Sequence, residues 1–209
     1  MNGSSTHPNT TDRRRLAFAA LCAAVALVAG SSTAAWADAA GGADNVVLAS
    51  NQVDQSARSR VNVQVAYDPA DTVANQNVAS ATSSCVGCRT VAVAVQVVVV
   101  EGFPSDFEPH NAAAAENNGC DSCDTLAYAY QIVVQPGVMV HLDADGQHQV
   151  QDLEAEMEGV AGSDAGLFDI VDQLDTLSAQ LKSAVEDSLV RSGAPTTATA
   201  YRAVQGRPA

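Results

Sequence analysis

The feature that most constrains this chain is a repeat. "SSCVGCRTVAVAVQVVVV" (residues 83–100) is rewritten as "NGCDSCDTLAYAYQIVV" (residues 118–134). Aligning Cys85 with Cys120 gives nine identities in eighteen positions, among them Cys88/Cys123, Thr90/Thr125, Ala92/Ala127, Ala94/Ala129, Gln96/Gln131 and Gly102/Gly137. Upstream, "NVASA" (77–81) matches "NAAAA" (111–115) after a one-residue gap. Shared composition does not place both cysteines and the glutamine in phase, so the segment reads as an internal duplication with a period of 34 to 35 residues. Two copies fall short of the three or so a self-supporting solenoid needs, which predicts a paired, pseudo-symmetric unit.

Each copy alternates Thr-x-Ala-x-Ala-x-Gln-x-Val, with Val, Leu, Tyr or Ile between. Period two with β-branched enrichment predicts a strand, although the Ala-rich runs leave a helix as the rival for residues 90–100 and 125–135. One face is small and the other bulky, so such a strand is expected to be buried on both sides. Gly102 with Pro104, and Pro136 with Gly137, end the two copies. "RVNVQVAY" (60–67) also alternates and stops at Asp68-Pro69, a further strand for the same sheet.

Beyond Gln147 the period changes. Val150, Leu153, Met157 and Val160, then Leu167, Ile170, Val171, Leu174, Leu177, Leu181 and Val185, recur mostly at spacings of three and four. With Ser163 as N-cap and Gly193 and Pro195 as a stop, this predicts an acidic amphipathic helical hairpin over 147–192. The expected fold is therefore α+β: a duplicated, β-rich Cys-x-x-Cys module at 56–140 followed by the hairpin. Residues 38–55 are expected to be a flexible N-terminal segment, and 193–209 a disordered tail.

The first residues address the compartment. Arg13, Arg14 and Arg15 precede an apolar run from Leu16 to Gly30, and Ala35-Trp36-Ala37 has the form of a small-residue cleavage site. Residues 1–37 thus read as an export signal cut before Asp38, and its apolar run is short for a membrane span. Cys22 lies within that run. Cleavage leaves 172 residues, 7 of them Lys or Arg and 23 Asp or Glu, a net charge of about −16 against −14 for the whole chain. So acidic a surface repels phosphate backbones, which argues against nucleic acid and leaves an unidentified protein or envelope component as partner. The expected location is secreted or in the cell envelope, with no membrane span after cleavage.

Cys85, Cys88, Cys120 and Cys123 are the candidate site. In an oxidising compartment an even cysteine count predicts structural disulfides, and four cysteines allow three pairings. The same four could instead supply sulfur ligands to zinc, or carry out thiol–disulfide exchange. Asp121 and Asp124 beside the second pair disfavour the thiolate that exchange needs. "LDADGQ" (142–147) opens like a calcium loop on Asp143 and Asp145, with Glu154 at position twelve. His148 stands where the sharp turn needs glycine, so a solvated turn is expected. His110, His141 and His148 have no ligand spacing and read as surface residues, and no phosphate-binding glycine loop is present.

The pattern Asn-x-Ala-x-Ala, Cys-x-x-Cys-x-Thr-x-Ala-x-Ala-x-Gln, then Pro109-His110-Asn111 and the second Cys-x-x-Cys, resembles a module of exported actinobacterial proteins of unknown function. Some of these carry the label peptide zinc metalloprotease. The resemblance covers residues 60–140 and implies a paired-cysteine module in an extracytoplasmic setting. No His-Glu-x-x-His occurs, so no protease residues carry over. The sequence thus points to an exported, non-catalytic structural or interaction protein without cofactor. A zinc-binding module or a redox factor is the alternative.

Overall fold

The computed structural model describes residues 44–68, 72–138, 140–191 and 198–208. The expected export signal (1–37), Cys22 and the expected Gly193–Pro195 stop lie outside them. The fold is α+β, with nine strands and two helices among the described residues. Strands β1 (Asn45–Asn51), β4 (Gln76–Ser83) and β7 (His110–Asn117) form a parallel sheet in that order. Strands β2 (Ala57–Asp68), β5 (Arg89–Val100) and β8 (Asp124–Val134) form a second parallel sheet, and β9 (Ala198–Arg207) joins it antiparallel to β8. Two-residue strands β3 (Thr72–Val73) and β6 (Asp106–Phe107) pair beside them.

Successive passage through the two sheets winds the chain into three stacked coils, which corrects the expected two-copy unit. Coil 1 comprises β1, β2 and β3; coil 2 comprises β4, β5 and β6; coil 3 comprises β7 and β8. In-register pairing aligns Asn45, Asn77 and Asn111, and likewise Gln64, Gln96 and Gln131. Coil 1 escapes a search keyed on cysteine because its equivalents of Cys85 and Cys88 are Val53 and Ser56, at an offset of 32 residues. It brings the number of coils to the three a solenoid needs. The segment expected to be flexible therefore contains β1, whose Asn45, Val47, Ala49 and Asn51 are buried.

The two apolar faces of β5 have different neighbours. Val91, Val93, Val95, Val97 and Val99 turn outward against the helices, whereas Ala92 and Ala94 turn into the space between the sheets. There they meet Ala79, Ala81, Ala115, Ala127 and Ala129, so small side chains let the two sheets approach closely. Strand, not helix, is the state of residues 90–100 and 125–134 because each run is paired along both edges, β5 parallel to β2 and β8, and β8 parallel to β5 and antiparallel to β9, which provides partners for the backbone of a run buried on both faces.

Helices α1 (Ala144–Ala161) and α2 (Leu167–Arg191) form the hairpin and cover the valine face. Met157, Ile170, Leu174, Leu181, Val185 and Leu189 are fully buried there. The cap assignment differs from expectation. Ser163 lies in the turn between the helices, its hydroxyl donating to Val160 O, and α2 begins four residues later. The would-be calcium loop is the start of α1: Asp143 is the N-cap, accepting from Gly146 N–H at 2.7 Å and from Arg191 Nε at 2.7 Å.

The expected disordered tail contains β9. It hydrogen-bonds along β8, and Asn111 Nδ2 donates to Tyr201 O while Arg207 Nε donates to Ala115 O. The second sheet is thereby extended past β8, and the edge of β7 is bonded at Ala115, whose N–H donates to Gln205 Oε1 and whose carbonyl accepts from Arg207, as capping of a terminal repeat requires. Among the described residues no helix is long and apolar enough to cross a membrane.

Candidate functional site: the cysteine corner

The four cysteines occupy the turns that connect one sheet to the other in coils 2 and 3. In coil 1 the same turn is Val53-Asp54-Gln55-Ser56. All three turns place their third residue in the left-handed region: Gln55 at φ 53°, Gly87 at φ 63° and Ser122 at φ 57°. Repetition of a conformation that costs a non-glycine residue about 1 kcal/mol marks the turn as a property of the coil. The turns are also tied to one another. Gln55 N–H donates to Val86 O, Val86 N–H donates to the Asp54 carboxylate, and Gly87 N–H donates to Asp121 O, each at 2.8 Å.

This stacking brings all four sulfurs within 4.8 Å of one another. Cys85 is bonded to Cys88 and Cys120 to Cys123, so each bridge closes its own turn with a Cα–Cα distance of 6.0 Å. Of the three pairings open at the level of sequence, the one within each motif is adopted. Across the coils Cys88 Sγ lies 3.2 Å from Cys123 Sγ, without a bond. Cys85, Cys88 and Cys123 are buried, and Cys120 is half-buried.

The surroundings favour neutral sulfur. The Cys85 carbonyl oxygen lies 2.9 Å from both Cys120 Sγ and Cys123 Sγ, and Asn51 O lies 3.2 Å from Cys85 Sγ. Carbonyl oxygens carry partial negative charge, which opposes thiolate formation. The adjacent cation does not offset this, because Arg89 is committed to the Asp124 carboxylate at 3.2 Å and to Ser163 O at 2.8 Å. Those bonds fasten the corner to the helix turn.

Sequence reasoning missed the polar column behind the corner. Asn45 Nδ2 donates to Asn77 Oδ1 at 2.9 Å, and Asn77 Nδ2 donates to Asn111 Oδ1 at 2.8 Å. Further along, Gln131 Nε2 donates to Gln96 Oε1 at 2.8 Å, and Gln96 Nε2 to Gln64 Oε1 at 3.2 Å. Ser83 Oγ joins Thr90 and Thr125 at 2.7 Å each, and Thr125 donates to Asn117 Oδ1. The Asn and Gln sets are side-chain ladders, which in-register stacking of like residues creates, and the Ser83 set bonds one sheet to the other. The recurrence of Asn and Gln at coil spacing was their signal.

His110, His141 and His148 are exposed and stand apart; His141 packs edge-on against Tyr67 at 4.3 Å between ring centres. Burial pushes the Tyr128 phenol well above its usual range, and its hydroxyl reaches Asp175 and Ser178 at 3.0 Å. This group bonds sheet to helix. No family model, curated protein or solved structure matches the chain.

Proposed function

We propose that this chain is an exported, non-catalytic structural or interaction protein of the cell envelope or extracellular space, built on a short β-solenoid whose turns are locked by disulfides. The observation that carries the reading is the pairing of Cys85 with Cys88 and Cys120 with Cys123, with three of the sulfurs held against carbonyl oxygens. Such an environment suits an inert disulfide. It suits neither a nucleophilic thiolate nor a redox dithiol. Disulfides persist in oxidising compartments, in agreement with the signal-like residues 1–37 and the resemblance to exported actinobacterial modules.

A zinc centre is the second reading, favoured by the convergence of four sulfurs within 4.8 Å. It requires all four to be deprotonated thiolates. One experiment separates the two: expression of the full chain in an export-competent host, then native and denatured intact mass with and without alkylation. The proposal expects exported protein beginning at Asp38, four hydrogens lighter than its reduced form, unalkylated and metal-free. Retention in the cytoplasm, four alkylatable thiols or a bound zinc mass would overturn it.

A further inference from the structure

The coil 1 end of the solenoid is built differently from the coil 3 end. Each strand of the first sheet lies over a seam of the second: β1 over β2 and β5, β4 over β5 and β8, β7 over β8 and β9. Nothing among the described residues pairs with the free edge of β1, so the outer half of β2 is left uncovered. A groove of about 370 Å³ lies there, between Asp44–Leu48 on one side and Arg60, Val61, Asn62 and Gln64 on the other. Its position is that of a fourth strand added to the β1 sheet.

The floor of the groove identifies the strand that would fit. In register with the buried Thr90, Ala92 and Ala94 of β5 stand Arg58, Arg60 and Asn62 of β2, all three exposed, with Arg60 and Asn62 lining the groove and Arg58 two residues before Arg60 on the same face of the strand. The inward face of coil 1 is therefore cationic and polar where the inner coils carry small side chains. Arg89, Lys182, Arg191 and Arg202 each pair with a carboxylate, and Arg207 donates to a backbone carbonyl. Arg58 and Arg60 have no carboxylate partner among the described residues, in a chain of net charge −14. The one carboxylate lining the groove, Asp44, accepts from Gln76 N–H at 2.9 Å. On the outer face Val46 and Leu48 are about 40% exposed and would flank the apolar positions of an added strand.

We propose that this groove accepts an extended segment of a partner polypeptide in which acidic and apolar residues alternate. The segment adds to the edge of β1 by backbone hydrogen bonding, its acidic side chains turned towards Arg58 and Arg60 and its apolar ones beside Val46 and Leu48. A second copy of the chain is a poor occupant. Coil 1 against coil 1 apposes the same arginines, and at the coil 3 end Gln205 and Arg207 of β9 already occupy the N–H and carbonyl of Ala115 on β7. The inference depends on neither the compartment nor the cysteine state.

The test is fluorescence anisotropy of the chain from Asp38 with dye-labelled (Glu-Val)4, and with (Lys-Val)4 as control. Saturable binding of the acidic peptide alone is expected, weakened at least tenfold by the Arg58→Glu/Arg60→Glu double variant and weakened by salt. Exchange protection of the Val46–Leu48 amides on binding should accompany it. Arg58→Lys/Arg60→Lys should retain binding, and far-UV dichroism of both variants verifies folding. No saturable binding, equal binding of (Lys-Val)4, or an unaffected double Glu variant would overturn the proposal and leave the arginines as protection of an edge against unwanted pairing.

Discussion

Asn77 shows how the solenoid fixes its register. It is fully buried, accepts from Asn45 and donates to both Asn111 and the Ala94 carbonyl. Asn77→Leu is nearly isosteric but leaves buried donors and acceptors unpaired, so it should cost about 1–3 kcal/mol in urea unfolding. Exposed Ser50→Ala should change stability by less than about 0.5 kcal/mol. Equal effects would mean that the ladder contributes nothing. Asp143 gives a pH signature at the same scale. The Arg191 guanidinium and the Gly146 N–H hold its carboxyl well below the usual carboxylate range. A depressed folded-state pKa stabilises above the unfolded value of about 3.9 and is lost as the pH falls towards the folded one. The Tm advantage of the wild type over Asp143→Asn should therefore be constant above about pH 5 and shrink below about pH 4. An advantage that is flat through that window would contradict the assignment.

At the scale of the element, the face a residue occupies decides what it tolerates. Ala94 lies between two sheets and Val93 beneath a helix, both fully buried. Ala94→Leu forces the sheets apart and should cost about 1–3 kcal/mol or more by overpacking. Val93→Ile adds one methylene beside longer side chains and should cost less in the same denaturation series. The alternation of small and bulky residues made this two-sided burial legible in the sequence, as the spacing of Leu167, Ile170 and Leu174 made the helices legible. Of coil 1 only the strand at 60–67, now β2, was legible; its kinship to the repeat was not, because its turn uses Val53 and Ser56 where the others use cysteine, and its inward positions are Arg58 and Arg60 rather than Thr and Ala. Strand β9 was missed for a related reason. Its residues are exposed or half-exposed with no apolar periodicity, and pairing with β8 rather than a periodic apolar face makes it a strand. The four cysteines were legible as a set. Their pairing was not, since it follows from which sulfurs the coil turns bring together.

Among the described residues the helices, the β2–β5–β8–β9 sheet and the β1–β4–β7 sheet stack as three layers around two cores, one of valine and leucine and one of alanine. Three coils are a minimal solenoid, so the terminal cap and the disulfides carry weight that a longer array would spread over more repeats. Each bridge closes a loop of four residues, for which chain entropy gives a stabilisation of about 2 kcal/mol. Replacing Cys120 and Cys123 together with Ser should cost about that much and leave the fold intact, as near-UV and far-UV dichroism would report.

Which cysteines are joined decides whether each bridge locks its own coil turn. The decisive measurement is non-reducing peptide mapping of the chain expressed in an export-competent host, with cleavage between the two motifs. Two separate peptides, one containing Cys85–Cys88 and the other Cys120–Cys123, each two hydrogens lighter than its reduced form, are the expected result. A single cross-linked pair spanning the motifs, or two peptides with free thiols, would contradict it.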